Sequence, residues 1–381
     1  MTSAAVSAGN PQQLETLLAA FTNPDNEARR RAEVAWEDLK QRLPDEVLEN
    51  MCAILGRDDA EAGEAAGLRA MAAVLLRTLF DARSNVWFRV QERTQKAVKV
   101  ALLGRLTKEP VAHIRRKLTQ TIGQLAEISS ETAEWPELVM VTVALCDATE
   151  HSPEMKVVGL GLVNILAEFC PDMMAPHRAD LLQARHFSYP HPMFEACLDD
   201  ANVGVRDTAL KAACSFLPGP SAVAASSLVP KMMSVLEASA TVNSAGEGVA
   251  GDVLEALNVV AANQPLMLVG DPQSLDVVGS AMLSLAASPT LEDSTRELSL
   301  EVITGLCESA PSVFREGGGG IVGAVVPLTM NMVARHPEGD ESEEELVAWL
   351  STAGGSEDDM NGHLDGDGLC NIFANALHRS V

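Results

Sequence analysis

The sequence predicts an all-α protein in which helix pairs stack into a solenoid, and three observations lead to this fold class. The 381 residues are 47% hydrophobic but only 4% aromatic, a composition that suits helices packed through small aliphatic side chains better than a β-sandwich. Segments of similar sequence recur along the chain, and within them the apolar residues follow helical spacing. Together these features indicate one elongated array of repeats.

Each recurring segment has a polar or acidic turn, then a basic residue, then an apolar helix of about four turns. The basic residue recurs at intervals of 40, 46, 41, 50 and 90 residues, at Arg29, Arg69, Arg115, Lys156, Arg206 and Arg296. The last interval is twice 45, and the segment from Asn243 is the copy that lacks the basic residue. This period is typical of HEAT or armadillo repeats. We therefore expect a right-handed superhelical solenoid of HEAT-type helix pairs, an armadillo-like α-α superhelix.

Helical spacing is clearest in the second and third copies. Their apolar residues step by three or four positions, at Leu68, Met71, Leu75 and Leu79, and at Ile114, Leu118, Ile122 and Leu125. Such a stripe covers one helix face. Further helix-like stretches lie between copies, at Thr94–Leu106 and Pro136–Asp147. Each unit is therefore predicted to contain two antiparallel helices.

The turn of the fifth copy contains Asp200, and Arg206 follows it in the helix. In HEAT units such an acid and base commonly form a ladder along the stack, and we expect one here. The alternative is a charge pattern that only favours the start of a helix.

The charge balance indicates the class of partner. There are 53 acidic and 28 basic residues, a formal net charge of -25. Such a chain repels phosphate backbones, which argues against nucleic-acid binding, and it attracts basic proteins. The alternative is that the acidity serves only solubility.

Targeting and redox features predict a soluble intracellular protein. The seven cysteines are scattered, as expected for reduced thiols. Residues 1–10 have neither the basic nor the apolar part of a signal peptide, and no apolar run is long enough for a membrane span.

Candidate catalytic and metal sites are weak. His177, His186 and His191 near Asp180 fit no zinc spacing. The segment Asp365–Asp367 lacks the frame of a calcium loop. Gly317–Gly320 is predicted to be a flexible loop between helices, because no phosphate-binding motif accompanies it. We expect no enzyme activity, no cofactor and no bound metal.

Two basic triplets remain, Arg29–Arg31 and Arg115–Lys117. Helical geometry spreads each triplet over different faces, so pairing within a repeat is the main expectation. Contact with carboxylates of a partner is the alternative.

The first 140 residues contain specific motifs. The segment Ala28–Leu39 resembles the opening repeat of the importin-β superfamily of nuclear transport receptors, and Met71–Arg77 resembles the second. Arg115–Lys117 and the Glu134–Pro136 turn continue the match. The importin-5-like receptors are the most similar branch and the importin-4-like proteins the second. The motifs are weak over residues 175–290.

A second specific feature lies between Glu338 and Asp367, where there are eleven acidic residues and no Lys or Arg. This segment resembles the acidic loop that importin-β relatives contain in a middle repeat, followed by a tryptophan. The resemblance implies that it binds Ran or basic cargo through Glu341, Glu343, Glu344, Glu345, Trp349, Glu357, Asp358 and Asp359. The alternative is a solvated linker.

The predicted organisation has five parts. A flexible N-terminus covers 1–10, importin-β N-terminal-like HEAT repeats 11–107, further HEAT repeats 108–336, the acidic loop insertion 337–368, and the start of a helix 369–381. Members of the superfamily continue for many more repeats, so we expect an N-terminal portion of a longer receptor. The alternatives are a truncated gene model and a short relative.

The resemblance implies a nuclear import receptor. It would bind Ran-GTP through the second helices of the early repeats, basic cargo bearing a nuclear localisation signal on its inner surface, and phenylalanine-glycine nucleoporins between its outer helices. The expected protein is a monomer that moves between cytoplasm and nucleus through the nuclear pore. The alternative is a HEAT scaffold unrelated to transport, such as a phosphatase regulatory subunit or an assembly chaperone.

Overall fold

The computed structural model describes residues 11–21, 23–57, 63–130, 135–146, 151–177, 193–216, 228–242 and 249–334. Every regular element in these ranges is a helix, which confirms the all-α fold class. The chain divides into two compact units, residues 1–224 and 225–381, a division that the sequence did not predict. None of the described helices is long and apolar enough to cross a membrane.

The first unit contains twelve of the described α-helices, numbered here in chain order. They are α1 (Pro11–Phe21), α2 (Asn26–Arg42), α3 (Pro44–Leu55), α4 (Glu64–Leu79), α5 (Val86–Arg89), α6 (Glu92–Leu106), α7 (Ala112–Ser130), α8 (Pro136–Leu145), α9 (Pro153–Phe169), α10 (Pro171–Met174), α11 (Met193–Leu198) and α12 (Val203–Phe216). Short 3-10 turns lie at Ala82–Ser84 and Ala175–His177.

The second unit contains seven described helices. They are α13 (Val229–Val242), α14 (Val249–Asn263), α15 (Leu266–Val269), α16 (Pro272–Ala287), α17 (Asp293–Ser309), α18 (Pro311–Glu316) and α19 (Gly319–Ala334). All six segments that share the basic residue, and the copy without it, form the second helix of a pair: α2, α4, α7, α9, α12, α14 and α17.

Helices pack as a repeat array within each unit. In the first unit, α1 pairs with α2, α3 with α4, α6 with α7, α8 with α9 and α11 with α12. The second helices then form one row, in which α4 packs on α7, α7 on α9 and α9 on α12. In the second unit, α13, α16 and α19 form the row of first helices, and α14 packs on α17. The predicted stacking of helix pairs is therefore present in both units. The predicted boundary at 107/108 lies in the turn that joins α6 to its partner α7.

The core confirms one predicted stripe and corrects the other. Ile114, Leu118, Ile122 and Leu125 of α7 are all 0% exposed. In α4, however, Leu68, Met71 and Leu75 are only half-buried, and the core face is formed instead by Arg69, Ala72, Ala73, Leu76 and Leu79. The face is shifted because two alanines let α7 approach closely, and the Thr121 hydroxyl of α7 donates to the Ala73 carbonyl oxygen at 2.9 Å.

Glycines also permit close helix contacts in both units. A Cβ atom built on Gly123 of α7 would lie 2.6 Å from the Ile165 side chain of α9, and one on Gly279 of α16 would lie 2.3 Å from Ile321 of α19. The prediction of a loop over Gly317–Gly320 is wrong for its second half, since Gly319 and Gly320 form the first turn of α19.

Candidate partner-binding surfaces

The basic residues of the repeat serve first to hold the turns together. The Arg115 guanidinium donates to the carbonyl oxygens of Glu109 and Pro110, both at 2.8 Å. Arg206 donates in the same way to Asp200 and Ala201, at 2.8 and 3.1 Å. In both cases the acceptors lie six and five residues earlier in the chain.

Arg29 repeats this geometry in the first pair. Its guanidinium donates to the carbonyl oxygens of Asn23 and Pro24, at 2.8 and 3.4 Å, and to the Asn26 side chain. We call this arrangement the turn clamp. It satisfies main-chain acceptors ahead of a helix and places a positive charge at the turn.

Arg69 has a different role, because it pairs with the turn of the following repeat. Its Nε and Nη2 atoms donate to the two carboxylate oxygens of Glu109, at 3.2 and 3.4 Å. Arg105 of α6 donates to the Glu109 Oε2 atom at 2.9 and 2.6 Å, and the Val111 N–H donates to Oε1 at 3.1 Å. The Glu109 side chain is 0% exposed and that of Arg69 1%. Burial alone would raise the pKa of Glu109, but the hydrogen bonds from Arg105, Val111 and Arg69 outweigh it and lower that pKa.

Lys156 makes the equivalent contact in the next pair of repeats. Its ammonium group lies 2.7 Å from the Asp200 Oδ2 atom, and the Asn202 N–H donates to Oδ1 at 2.8 Å. Burial opposes ionisation here too, but the hydrogen bonds from Lys156 and Asn202 keep the pKa of Asp200 below its ordinary value. The carboxylates of Glu109 and Asp200 thus each bind the preceding repeat, while their main-chain carbonyls accept from the turn clamp.

Arg296 follows neither pattern. Its Nε atom donates to the Ala286 carbonyl oxygen at 3.1 Å, and its Nη1 atom lies 2.6 Å from the Asp293 carboxylate. The structure therefore uses the repeat signature for contacts within repeats and between neighbouring repeats. The six signature residues are Arg29, Arg69, Arg115, Asp200, Arg206 and Arg296. Glu109 and Arg105 were not named from the sequence, although an acid six residues before the clamp arginine could have indicated Glu109.

The second unit exposes an acidic face along its second helices. Asp252 and Glu255 of α14, with Glu301 and Glu308 of α17, are exposed, and the Asn258 amide joins the two helices by donating to the Glu301 Oε2 atom at 3.3 Å. We call these four acids the α14–α17 acidic face. No Lys or Arg is exposed on either helix in the ranges that the structure describes, because Arg296 is buried.

A second exposed surface lies on the first helices α6 and α8. Val100 and Met140 are 73% and 67% exposed, values that stand out for large apolar side chains. Beside them the Lys99 ammonium lies 5.1 Å from the centre of the buried Trp135 ring. Burial lowers the pKa of Lys99, and nearby Glu137 partly opposes that shift.

The predicted acidic-loop residues lie outside the described residues. This applies to Glu341, Glu343, Glu344, Glu345, Trp349, Glu357, Asp358 and Asp359. The histidine and calcium-like segments around His186, His191 and Asp365 lie outside them as well. In the part of the chain that is described, no group of three His, Cys, Asp or Glu side chains could hold a metal ion.

Burial raises the pKa of several described thiols. Burial raises the pKa of Cys146 well above its usual value and that of Cys214 to about 12. The pKa of Cys170, at the end of α9, is raised to about 11 by burial and by nearby Glu127. A thiol held protonated is a poor nucleophile.

Comparison with known proteins finds similarity to importin-5-like proteins. A family model described as "IPO5-like, TPR repeats" matches residues 110–275, which includes much of the stretch where the sequence motifs are weakest. A probable importin-5 homolog of Dictyostelium discoideum is 21% identical over 311 residues, which are 81% of this chain and 27% of that protein.

Solved structures of Kap121p share the fold of this chain. The crystal structure of Kap121p matches 89% of this chain with a TM-score of 0.68 and 18% identity. Kap121p bound to RanGTP matches with a TM-score of 0.65 and 18% identity over 89% of the chain. Kap121p bound to Nup53p matches with a TM-score of 0.67 and 17% identity over 96% of the chain. The chain spans 27% of the Dictyostelium protein and between 31% and 32% of Kap121p.

Proposed function

The predicted resemblance is confirmed, and the relatives of this chain are importin-5-like proteins of the importin-β superfamily; from this premise we propose that it is part of a nuclear import receptor. Its work is binding, without bond-making chemistry. It takes up basic cargo in the cytoplasm, passes the nuclear pore, and releases the cargo when the GTP form of Ran binds.

The observation that carries the proposal is the α14–α17 acidic face. Over the described residues of the second unit there are eleven Asp and Glu but only three Lys and Arg. Arg296 is buried on Asp293, and neither Lys231 nor Arg315 belongs to α14 or α17. The second helices α14 and α17 therefore expose carboxylates and no Lys or Arg of their own in the described ranges, which suits a lysine- or arginine-rich segment. The acidic segment Glu338–Asp367 adds charge of the same sign.

Ran binding is proposed for the early second helices, α4 and α7. The support is the resemblance of Ala28–Leu39 and Met71–Arg77 to the opening repeats of the superfamily, together with the fold shared with Kap121p, which has been crystallised with RanGTP. If Ran lowers the affinity of the chain for cargo, cargo lowers its affinity for Ran by the same factor.

Nucleoporin binding is proposed for the surface around Val100 and Met140. Exposed apolar side chains on neighbouring first helices suit the insertion of a phenylalanine from an extended segment. Kap121p, which shares the fold, has been crystallised with Nup53p. We further propose that the receptor acts as a monomer and distributes between cytoplasm and nucleus.

A charge-reversal experiment tests the cargo surface. In Glu255→Lys/Glu301→Lys, both carboxylates of the α14–α17 acidic face become cations, and we expect affinity for a labelled lysine-rich localisation peptide to fall about tenfold or more. The matched control is Asp276→Lys/Glu316→Lys, which makes the same charge change at exposed sites on α16 and α18. Fluorescence anisotropy measures both. Equal losses in the two variants would show that only net charge matters and would remove the support from this face.

Ran dependence is tested separately. Ran loaded with GTP should bind the immobilised chain and displace the lysine-rich peptide, whereas Ran loaded with GDP should do neither. If both nucleotide forms bind alike, or neither binds a folded sample, the scaffold alternative replaces the transport proposal.

A further inference from the structure

The early repeats differ in charge from the rest of the chain. Residues 63–130 contain twelve Lys and Arg but only five Asp and Glu, within a protein of net charge -25. The described part of the second unit has the opposite excess. A partner that suits one of these regions therefore does not suit the other.

The acids of this region are mostly used internally. Glu109 is fully buried between Arg69 and Arg105. Glu92 pairs with Lys96 on α6, and the Asp81 carboxylate accepts from the Arg83 N–H in the turn after α4. None of these groups lies on the second helices α4 and α7.

On α7 the exposed polar side chains form a single strip. His113, Arg116 and Gln120 are exposed at spacings of three and four residues, so they follow one helix face. Gln124 continues the strip half-buried, and its amide donates to the Glu127 carboxylate at 2.9 Å. Cations thus lie toward the start of α7, and the single acid lies toward its end.

Arg77 joins this strip from α4. Its Nη1 atom donates to the Gln120 Oε1 atom at 2.9 Å, so a neutral acceptor orients the guanidinium without cancelling its charge. Arg116 lies one helical turn before Gln120 and forms neither an ion pair nor a hydrogen bond with another described side chain. Two guanidinium groups on neighbouring helices are therefore both placed near Gln120, with donors to spare.

We propose that this strip, His113, Arg116, Gln120 and Arg77, is a docking surface for a carboxylate-rich segment of a partner protein. Guanidinium groups bind carboxylates through paired hydrogen bonds, and the intervening amide can donate to a third. Two guanidinium groups are few for a nucleic acid, whose affinity depends on neutralising many phosphates, so a short run of protein carboxylates is the better match. The proposal adds an acidic partner to a chain whose composition indicates only basic ones.

The strip lies on α4 and α7, the helices to which the proposed function assigns Ran binding. The test therefore uses a peptide in place of Ran, so that either proposal can fail without the other. A fluorescein-labelled oligoglutamate peptide is titrated with the full chain at low ionic strength, where surface charges are least screened. Arg77→Glu/Arg116→Glu should weaken binding about tenfold, since each reversal turns an attraction into a repulsion. The same variant should bind an oligolysine peptide no less tightly than the wild type.

The matched control is Arg83→Glu/Arg93→Glu, which reverses two exposed arginines away from α4 and α7, and it should bind oligoglutamate within about twofold of wild type. Arg77→Gln/Arg116→Gln, with unchanged circular dichroism, gives an intermediate affinity and excludes misfolding. Equal losses in both charge-reversal pairs, or no binding by the wild type, would overturn the proposal. So would an oligothymidylate that binds as tightly through Arg77 and Arg116, because the ligand would then be phosphate.

Discussion

Replacing Glu109 by glutamine is expected to destabilise the first unit strongly. The carboxylate accepts from Arg69, Arg105 and the Val111 N–H while it is fully buried. Glutamine keeps the shape but removes the negative charge that Glu109 provides to two buried guanidinium groups. Breaking a buried ion pair by removing one partner costs about 3–5 kcal/mol, and we expect about 3 kcal/mol because an amide oxygen can still accept one hydrogen bond.

The assay is urea unfolding followed by tryptophan fluorescence. Trp36, Trp87 and Trp135 are all buried in the first unit, so the signal is dominated by that unit. With a urea dependence of about 3 kcal/mol per molar for a unit of this size, the midpoint should fall by about 1 M. Glu92→Gln is the control, because Glu92 pairs with Lys96 on the exposed side of α6, and its midpoint should stay close to that of the wild type.

Single arginine variants refine the prediction. Arg105 binds Glu109 at 2.9 and 2.6 Å, whereas the Arg69 contacts are 3.2 and 3.4 Å. Arg105→Met should therefore cost more than Arg69→Met, and the two effects should not add, since both act on one carboxylate. A Glu109→Gln midpoint equal to that of Glu92→Gln would refute the argument that this network holds the two repeats together.

Two further predictions concern pH and packing. The pKa values of Glu109 and Asp200 are lowered in the folded chain, so the stability that the two carboxylates contribute is present above their ordinary pKa values near 4 and is lost as pH falls below those values. Thermal melts at decreasing pH should show this loss, and the loss should be smaller in Glu109→Gln. An equal dependence of melting temperature on acid pH in both proteins would count against the argument. Gly279→Ala should destabilise the second unit by about 1–3 kcal/mol, because the added Cβ would lie 2.3 Å from the Ile321 side chain. Gly67→Ala is the control, because the space around Gly67 is open, and it should stabilise α4 by about 0.5–1 kcal/mol. Circular dichroism melts measure both variants, and an unchanged stability of Gly279→Ala would contradict the close contact of α16 and α19.

Helix pairs could be predicted from the sequence because their signal is local. Spacing alone placed α7 and its buried residues Ile114 and Leu125, and the repeat interval placed α14 although its basic residue is missing. The stripe in α4 was misplaced because Leu68 and Met71 are larger than Ala72 and Ala73, and composition cannot show that a neighbouring helix needs small residues for close approach.

The long-range contacts were less accessible to sequence reasoning. A ladder along the stack was expected, but the sequence did not show which base each acid would bind. The carboxylate of Asp200 binds Lys156 of the preceding repeat, and only its carbonyl accepts from Arg206. Burial of Glu109 depends on three helices at once, which no single window of sequence contains. The strip on α7 and α4 and the α14–α17 acidic face have opposite charges, and the net charge of the whole chain does not show this difference because it sums over both.

The turn clamp has a consequence for how such an array can change over time. Its arginine binds main-chain carbonyls, so the clamp itself does not depend on one particular side chain. Asn-Pro, Glu-Pro and Asp-Ala fill the same two positions, before Arg29, Arg115 and Arg206 respectively. The first position needs only an acceptor side chain for the N–H two residues later, and the second position accepts either Pro or Ala. That freedom offers a physical reason why chains only 17–21% identical can keep one fold, and why the partners of an array can diversify faster than its architecture.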